Sequence, residues 1–305
     1  MFINVLTQVI ILFILIILGF VLAKIKMLNE TAVKSMTELV LMLVTPCVII
    51  KSFIREFDSA LLKSLLISVA AAFLSHIGFI ILSTFLLKHK NISKQRVLQY
   101  GAVFSNCGYM SIPLQQALLG DEGVFFAASY IAIFNVFVWT YGVLIMSGDK
   151  KYLTPKKLIV NPGILAVIIG ASIFLLSIPV PKVIAEPISY LASLNTPLPM
   201  IIIGYHLAHS SFWDGFKDIK CIFAILLKLF IFPLAALGIM YVCGIRGVLL
   251  VSLAISCSAP TAANTTMFSS KFGADTSLSV NLVSISTLLS LISMPIVITL
   301  AQQLA

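Results

Sequence analysis

The sequence contains little charge, since only 10% of its 305 residues are Asp, Glu, Lys or Arg. Hydrophobic residues make up 60%, and the mean hydropathy is +1.11. Soluble globular domains average roughly 45–50% apolar and about 25% charged residues. A chain of this composition would expose large apolar areas to water. The composition therefore excludes a water-soluble domain and indicates a membrane protein.

The motifs of several function classes are absent from the sequence. No phosphate-binding G-x-x-x-x-G-K-[ST] motif occurs, which argues against ATP-driven transport. No G-x-S-x-G nucleophile motif occurs either. The five cysteines lie in apolar runs without CxxC spacing, so a zinc site or disulfide framework is not expected. We therefore expect no enzyme activity, no cofactor and no metal.

Long apolar runs occupy most of the chain. A spanning helix needs about 20 mostly apolar residues. This criterion predicts an all-α membrane protein whose ten spans are 2–23, 35–54, 64–87, 97–119, 123–147, 163–179, 186–208, 220–242, 247–268 and 276–300. The first span lacks a preceding basic stretch, so we interpret it as a retained anchor rather than a signal peptide. Because the connections are short, residues 1–305 are expected to form a single membrane domain.

The positive residues indicate the orientation of the spans. They stand in short groups between apolar segments and form no stripe interleaved with aromatics, so lipid and not nucleic acid is the expected partner despite a net charge of +9. Of 20 Lys and Arg residues, five fall on one side of the spans, 14 fall on the other, and Lys228 lies within a span. The positive-inside rule then predicts a multi-pass protein of the cell membrane with both termini outside.

Ten spans in this orientation divide into two inverted halves of five, 1–150 and 151–305. Several motifs recur in the same order in both halves. The pairs are Thr45-Pro46 with Thr196-Pro197, Pro113 with Pro260 after Ser/Cys-rich stretches, and Gly120-Asp121 with Gly273 and Asp275. The sequence therefore predicts an inverted repeat.

The chemistry is expected where spans 4 and 9 contain proline. Proline removes a helical hydrogen bond, and an interrupted helix is tolerated in a bilayer only where it is buried in protein or lines a cavity. Two half-helices starting near Pro113 and Pro260 would direct their positive ends to one point, which favours an anion. The alternative is that both prolines only kink packed helices. The predicted solute-binding residues are Asn106, Cys107, Gly108, Ser111, Pro113, Ser258, Pro260, Thr261 and Asn264.

Four further polar residues within the spans are candidates for coupling or for a counter-charge. Lys228 could neutralise an anion, couple protons, or extend its ammonium to the surface. His76 is a weaker candidate, since a single histidine in a helix bundle is more often a packing residue. Asn135 and Asn281 lie on spans expected to flank the interrupted pair, where either could brace the crossing or contact solute.

These motifs resemble the auxin efflux carrier family, which includes the bacterial PIN-like transporters. The segment NCGYMSIP, residues 106–113, is similar to that family's broken fourth helix. Further matches lie at Pro46, Asn161-Pro162, Thr196-Pro197, Gly204, Leu207, Lys228, Pro233, Pro260, Gly273, Asp275, residues 286–290 and Pro295. One departure is Ser111, where family members often have glycine, and it makes transfer of a substrate identity unsafe.

The resemblance implies ten spans in two inverted repeats, with broken spans 4 and 9 crossing at their prolines. It implies a scaffold of spans 1, 2, 6 and 7 beside a transport domain of spans 3–5 and 8–10, which moves like an elevator. Bacterial relatives are associated with small carboxylates and plant members with auxin, and dimers are known in the plant branch. A homodimer is therefore an open expectation here.

Together these features predict a secondary-active transporter, an efflux carrier for a small organic anion such as a carboxylate. A channel with the same polar midplane is the alternative, although no repeated filter sequence or charged ring occurs. An intramembrane enzyme would need a nucleophile such as Ser256, Cys257 or Ser258, and no paired acid accompanies them. The driving force could be a proton gradient, a sodium gradient or the membrane potential alone.

Overall fold

A computed structural model describes residues 2–153, 160–209 and 216–305. Within these residues the regular structure is helical, and the only β-type pairing among them is an isolated bridge between Ser105 and Thr261. The main helices are α1 Phe2–Lys24, α2 Glu30–Phe53, α3 Ser59–Leu86, α4 Ile92–Val103, α5 Cys107–Ser147, α6 Pro162–Leu175, α7 Lys182–Ser193, α8 Pro197–Ala208, α9 Ile219–Val242, α10 Gly247–Ser258, α11 Asn264–Phe272 and α12 Thr276–Leu304.

Six of these helices are long and apolar enough to cross a membrane, namely α1, α2, α3, α5, α9 and α12. The shorter helices α6 and α10 are also apolar. The predicted span 97–119 is divided between α4 and α5, and the span 186–208 is divided between α7 and α8 by a turn at 194–196. The predicted span 247–268 is likewise divided between α10 and α11.

The predicted boundary between spans 4 and 5 is a sharp turn inside α5. Gly120 adopts a left-handed φ of 64°, which glycine reaches without a steric penalty. The helix is therefore kinked there, and residues 107–119 and 121–147 form two separate helical segments.

Short polar side chains begin many of the helices. The side-chain oxygens of Asn29, Asp58, Asn91, Asn161, Asp218 and Asp275 each accept a hydrogen bond from a backbone N–H in the first turn that follows. Such caps satisfy donors that the helix itself cannot pair, and each is worth about 1 kcal/mol. Several helices therefore start earlier than the apolar runs alone predict.

Three prolines lie inside long helices directly after a π-helical turn. Pro46 follows Val40–Val44, Pro113 follows Cys107–Ser111, and Pro233 follows Leu227–Ile231, in each case as the second residue beyond the turn. A π-helical turn holds one extra residue, so it gives room for a ring that has no N–H to donate. These prolines therefore do not end their helices.

The tightest helix contact joins α1 to α8. A Cβ atom at Gly204 would lie 2.0 Å from the carbonyl oxygen of Ile16, and one at Gly19 would lie 2.3 Å from that of Ile201. Only glycine allows two backbones this close, as at small-residue contacts in membrane proteins. The Lys24 ammonium also donates a hydrogen bond to the Ala208 carbonyl at 2.8 Å.

Candidate functional site

Two helices are interrupted, and the interruptions lie against each other. The first comprises residues 104–106, between α4 and α5, and the second comprises residues 259–263, between α10 and α11. The Asn106 N–H donates to the Pro260 carbonyl at 2.7 Å, and the Ala262 N–H donates to the Phe104 carbonyl at 2.9 Å. These two bonds flank the antiparallel bridge between Ser105 and Thr261. Each interruption therefore satisfies backbone groups that the other leaves free, as a non-helical segment at membrane depth requires.

The position of the first interruption corrects the prediction. The half-helix was expected to start near Pro113, but the chain leaves the helix at Phe104 and resumes it at Cys107. Pro113 lies inside α5, where the preceding π-helical turn accommodates it. Pro260 does lie within the second interruption, where its carbonyl is used in the pairing, and the next half-helix starts at Asn264.

Neither restarting helix has a side-chain cap. Asn106 before α5 and Ala263 before α11 make no capping hydrogen bond, unlike the Asn and Asp caps that begin α2, α3, α4, α6, α9 and α12. Three other helix starts are also uncapped: those at Pro181 and Arg246 follow connections, and that at Thr196 follows the turn between α7 and α8. The Thr265 N–H donates to the Ala262 carbonyl at 3.0 Å. No side chain caps the other first-turn N–H groups of α5 and α11, so these are available as donors beside the paired segments.

Lys228 brings a positive charge to this pairing. Its side chain is 0% exposed, and its ammonium donates to the Ser105 hydroxyl at 2.7 Å and to the Cys257 carbonyl at 3.3 Å. None of the ion pairs between described residues involves Lys228. The interpretation that this lysine extends to the surface is therefore wrong in this structure, because its ammonium ends among neutral groups in the interior.

Ser105 is a contact that the sequence reasoning missed. It lies in the first interruption, accepts the hydrogen bond of Lys228, and its hydroxyl is 3.4 Å from the Tyr130 hydroxyl. The one available signal was its position at the start of the polar stretch 105–108. Nothing local to Ser105 or Lys228 in the sequence indicates that residues 123 positions apart are in contact.

A second polar network lies beside the pairing and centres on Gln115. Its amide nitrogen donates to Ser256 Oγ at 2.9 Å and to Ser111 Oγ at 3.2 Å, and its carbonyl oxygen accepts from Ser252 Oγ at 2.6 Å. Gln115 and the three serines are buried. Ser111 was predicted to contact solute, but in this structure its hydroxyl accepts a hydrogen bond from Gln115 within α5, and Gln115 in turn joins α5 to α10.

Most of the remaining predicted solute-binding residues already use their polar groups in hydrogen bonds within the protein. The Ser258 hydroxyl donates to the Ile255 carbonyl, and the Thr261 hydroxyl donates to the Gly101 carbonyl. Cys107 is buried, and the Asn264 side chain accepts a hydrogen bond from Tyr100 at 3.2 Å.

The freest positions at the pairing are Asn106, the last residue of the first interruption, and Gly108, in the first turn of α5. The side-chain amide of Asn106 makes no hydrogen bond to another described residue, and Asn106 is 6% exposed. A Cβ atom built on Gly108 would meet no atom within 4 Å. The open space at the interruption therefore lies beside Asn106 and Gly108.

The candidate coupling residues Asn135 and Asn281 lie on two different helices. Asn135 accepts a hydrogen bond from the Asn161 amide at 3.2 Å, so it braces the start of α6 and not the paired interruptions. Asn281 is buried on α12, next to a leucine whose side chain packs against Gly101 of α4.

His76 is fully buried on α3. Its Nδ1 lies 2.8 Å from the Ala72 carbonyl oxygen, and its ring stacks on that of Phe137 with centroids 5.2 Å apart. Its Nε2 has no hydrogen-bond partner among the described residues. These contacts resemble those of a packing residue.

Comparisons with known proteins place the chain in a family. The sequence model of the family described as "Membrane transport protein" matches residues 4–157 and again 150–298. An uncharacterized transporter of Methanothermobacter thermautotrophicus is 26% identical over 290 residues, which cover 93% of this chain and 94% of that protein. The matches extend over nearly the whole chain, including both interruptions and Lys228. The chain thus belongs to the membrane transport protein family, that of the auxin efflux carriers, and is a multi-pass membrane transporter.

Proposed function

We propose that this transporter carries a small organic anion, most simply a carboxylate, through a site at the paired interruptions. The observation that carries the proposal is the Lys228 ammonium, which is 0% exposed and contacts only neutral oxygens in the described part of the chain. A buried charge without a counter-charge is costly, and such groups in membrane proteins commonly mark solute or ion paths.

The donors around the ammonium favour a negative solute. An ammonium has three N–H donors, and two of them are used by Ser105 and Cys257. The uncapped starts of α5 and α11 add backbone donors and partial positive charge. The Asn106 amide can supply one more donor. A carboxylate offers acceptor oxygens only, so it matches this set better than a cation does.

We further propose that the helices form ten spans in two inverted halves, 1–150 and 151–305, with both termini outside the cell membrane. The antiparallel bridge between one interruption in each half supports this arrangement. An efflux carrier in this orientation would move its anion outward down a negative-inside potential, by about 2.3 kcal/mol per charge per 100 mV. Proton or sodium coupling is the other option for its driving force.

Elevator-type movement is supported by a contrast between two helix contacts of α1. The α1–α8 contact is backbone to backbone. Between α1, the kink of α5 at Gly120 and the end of α12, by contrast, a cavity of about 340 Å³ is lined by Asn4, Thr7, Gln8, Ala117, Leu118 and Gln302. Beside the same kink of α5, Lys51 and Asp121 form a half-exposed ion pair of 3.7 Å, which is a weak contact. We therefore infer that α1 and α8 stay together while α5 and α12 move past α1.

The test of the proposed function is transport by the purified protein in liposomes. A panel of labelled mono- and dicarboxylates, with matched amines and neutral amides, should give saturable uptake of one or more anions and counterflow from anion-loaded vesicles. Uptake of amines alone would refute the anion site. Unitary current steps without counterflow would favour the channel alternative. Uptake measured with a pH, sodium or voltage gradient imposed one at a time would identify the driving force.

A further inference from the structure

The ends of three helices bring four lysines together on the surface of the molecule, away from the site above. Lys88 and Lys90 follow α3, Lys94 lies in the first turn of α4, and Lys220 lies in the first turn of α9. The Lys220 ammonium donates to the Lys88 carbonyl, and the Lys94 ammonium is 3.5 Å from a carboxylate oxygen of Asp218. We name these four residues the lysine patch.

Among the residues that the structure describes, Asp218 is the acid that contacts the lysine patch, and both of its oxygens are occupied. One oxygen accepts hydrogen bonds from the backbone N–H groups of Lys220 and Cys221, and the other pairs with Lys94. No other described acid forms an ion pair with the lysine patch. Among the described residues, four positive charges are therefore opposed by one negative charge, and their mutual repulsion favours an anionic partner.

Large apolar side chains border the lysine patch. Phe85 is 68% exposed and Ile219 is 82% exposed, and the Lys88 ammonium lies 6.0 Å from the centre of the Phe85 ring. In a membrane protein such side chains face acyl chains, while lysines at helix ends reach the headgroup level. A partner that fits both surfaces has a negative headgroup and apolar tails.

We propose that the lysine patch binds the headgroup of an anionic phospholipid, with its acyl chains along Phe85 and Ile219. Basic clusters at the ends of membrane helices attract anionic lipids by about 1 kcal/mol per lysine. The bound headgroup would bridge the ends of α3, α4 and α9. Two of these helices lead directly to the carrier site, since α4 ends before Ser105 and α9 contains Lys228.

The test measures lipid preference by native mass spectrometry and by thermal unfolding of the detergent-solubilised full chain. Phosphatidylglycerol and phosphatidylcholine with identical acyl chains are added to wild type and to the variant Lys88→Gln/Lys90→Gln/Lys220→Gln. Wild type should prefer phosphatidylglycerol and be stabilised by it. Removal of three lysines should weaken this preference by about 100-fold, since 1 kcal/mol per lysine is about fivefold.

Two controls keep the result interpretable. The variant Lys34→Gln/Lys150→Gln/Lys271→Gln removes the same charge from exposed positions elsewhere and should keep the wild-type preference. The single variant Lys90→Gln removes one exposed charge and leaves the bond between Lys220 and the Lys88 carbonyl intact. Its preference for phosphatidylglycerol should fall about fivefold, even if the triple variant folds poorly. The proposal would be overturned if Lys90→Gln and the triple variant kept the wild-type lipid preference, or if the control variant lost as much preference as the triple variant. It would also be overturned if inorganic phosphate stabilised the protein as much as phosphatidylglycerol does.

Discussion

Replacing Lys228 by Met should abolish anion binding without unfolding the protein. Methionine keeps the length and apolar stem of the side chain and removes only the ammonium. The change deletes the hydrogen bonds to Ser105 and to the Cys257 carbonyl, and it removes a charge that has no counter-charge among the described residues. The substitution therefore changes anion binding through the lost charge, and it changes the free energy of unfolding through the lost hydrogen bonds and the relief of a buried charge.

The magnitude for binding follows from Coulomb's law. Two unit charges about 4 Å apart at an effective dielectric constant near 20 attract by about 4 kcal/mol. Loss of this term corresponds to roughly a 1,000-fold loss of affinity for the anion. For stability, two acceptors lose their donor at about 1–3 kcal/mol each, while relief of the buried charge returns several kcal/mol. We therefore expect the free energy of unfolding to change little or to rise.

The assay pairs solute binding with thermal unfolding on the same purified variant, using the anion identified by the carboxylate panel. Lys228→Arg, which keeps the charge, should retain measurable binding. Lys51→Met, which removes a partly exposed lysine at the end of α2, should leave the affinity near that of wild type. If Lys228→Met bound and transported the anion with wild-type constants, the ammonium would have no role at the site and the anion argument would fail.

Two further substitutions test the surroundings of the site and a third tests the α1–α8 contact, and each has a control at a position without the contact. Gln115→Leu should lower the free energy of unfolding by about 1–3 kcal/mol, measured by thermal denaturation, because the buried Ser111 and Ser256 hydroxyls lose the amide that donates to them. The exposed Gln116→Leu should cost little. Gly108→Leu should fold normally but reduce transport at least tenfold, since the new side chain enters open space at the interruption. Gly238→Leu, where the side chain is also unobstructed, should transport at the wild-type rate. If both variants transported at the same rate, Gly108 would not lie on the solute path. Gly204→Ala should destabilise the protein by about 1–3 kcal/mol in a denaturation assay because its Cβ would meet the α1 backbone, while Gly238→Ala should not.

Hydropathy predicts the long helices well because their apolar windows are continuous. The predicted spans 2–23 and 276–300 correspond to Phe2–Lys24 and Thr276–Leu304. The predicted starts at 35 and 64 were late by about one turn, since α2 and α3 begin at Glu30 and Ser59. Their first turns are polar and depend on the Asn29 and Asp58 caps, so an apolar window does not detect them.

The interruptions were predicted from proline, and this rule is only partly sufficient. Pro260 lies in the second interruption, but Pro113 lies within a helix because a π-helical turn precedes it. The first interruption is instead held by hydrogen bonds to residues more than 150 positions away in the chain. A pairing of this kind is non-local, so local propensity in 104–106 cannot reveal it.

The candidate site shows the same division between local and non-local information. Polar stretches in the sequence indicated Asn106 and Gly108, which border open space in the structure. They also indicated Ser258 and Thr261, whose hydroxyls bond backbone carbonyls instead. Residue type identifies a side chain that can hydrogen-bond, but only tertiary structure determines whether its partner is the protein or a solute.

The pairing also explains how one region can hold the fold together and still leave donors for a solute. In hydrocarbon, each unsatisfied backbone group of an interrupted helix costs several kcal/mol. Here the Asn106 and Ala262 N–H groups are paired across the two segments, and the Thr261 N–H donates to the Ser286 hydroxyl at 3.1 Å. The groups left over are first-turn N–H donors of α5 and α11 other than that of Thr265, together with the third donor of Lys228, all of which favour negative charge. Because the paired groups and the free groups are different atoms, substitutions at Lys228 or Gly108 should change transport without loss of the fold, whereas those that break the pairing should change both.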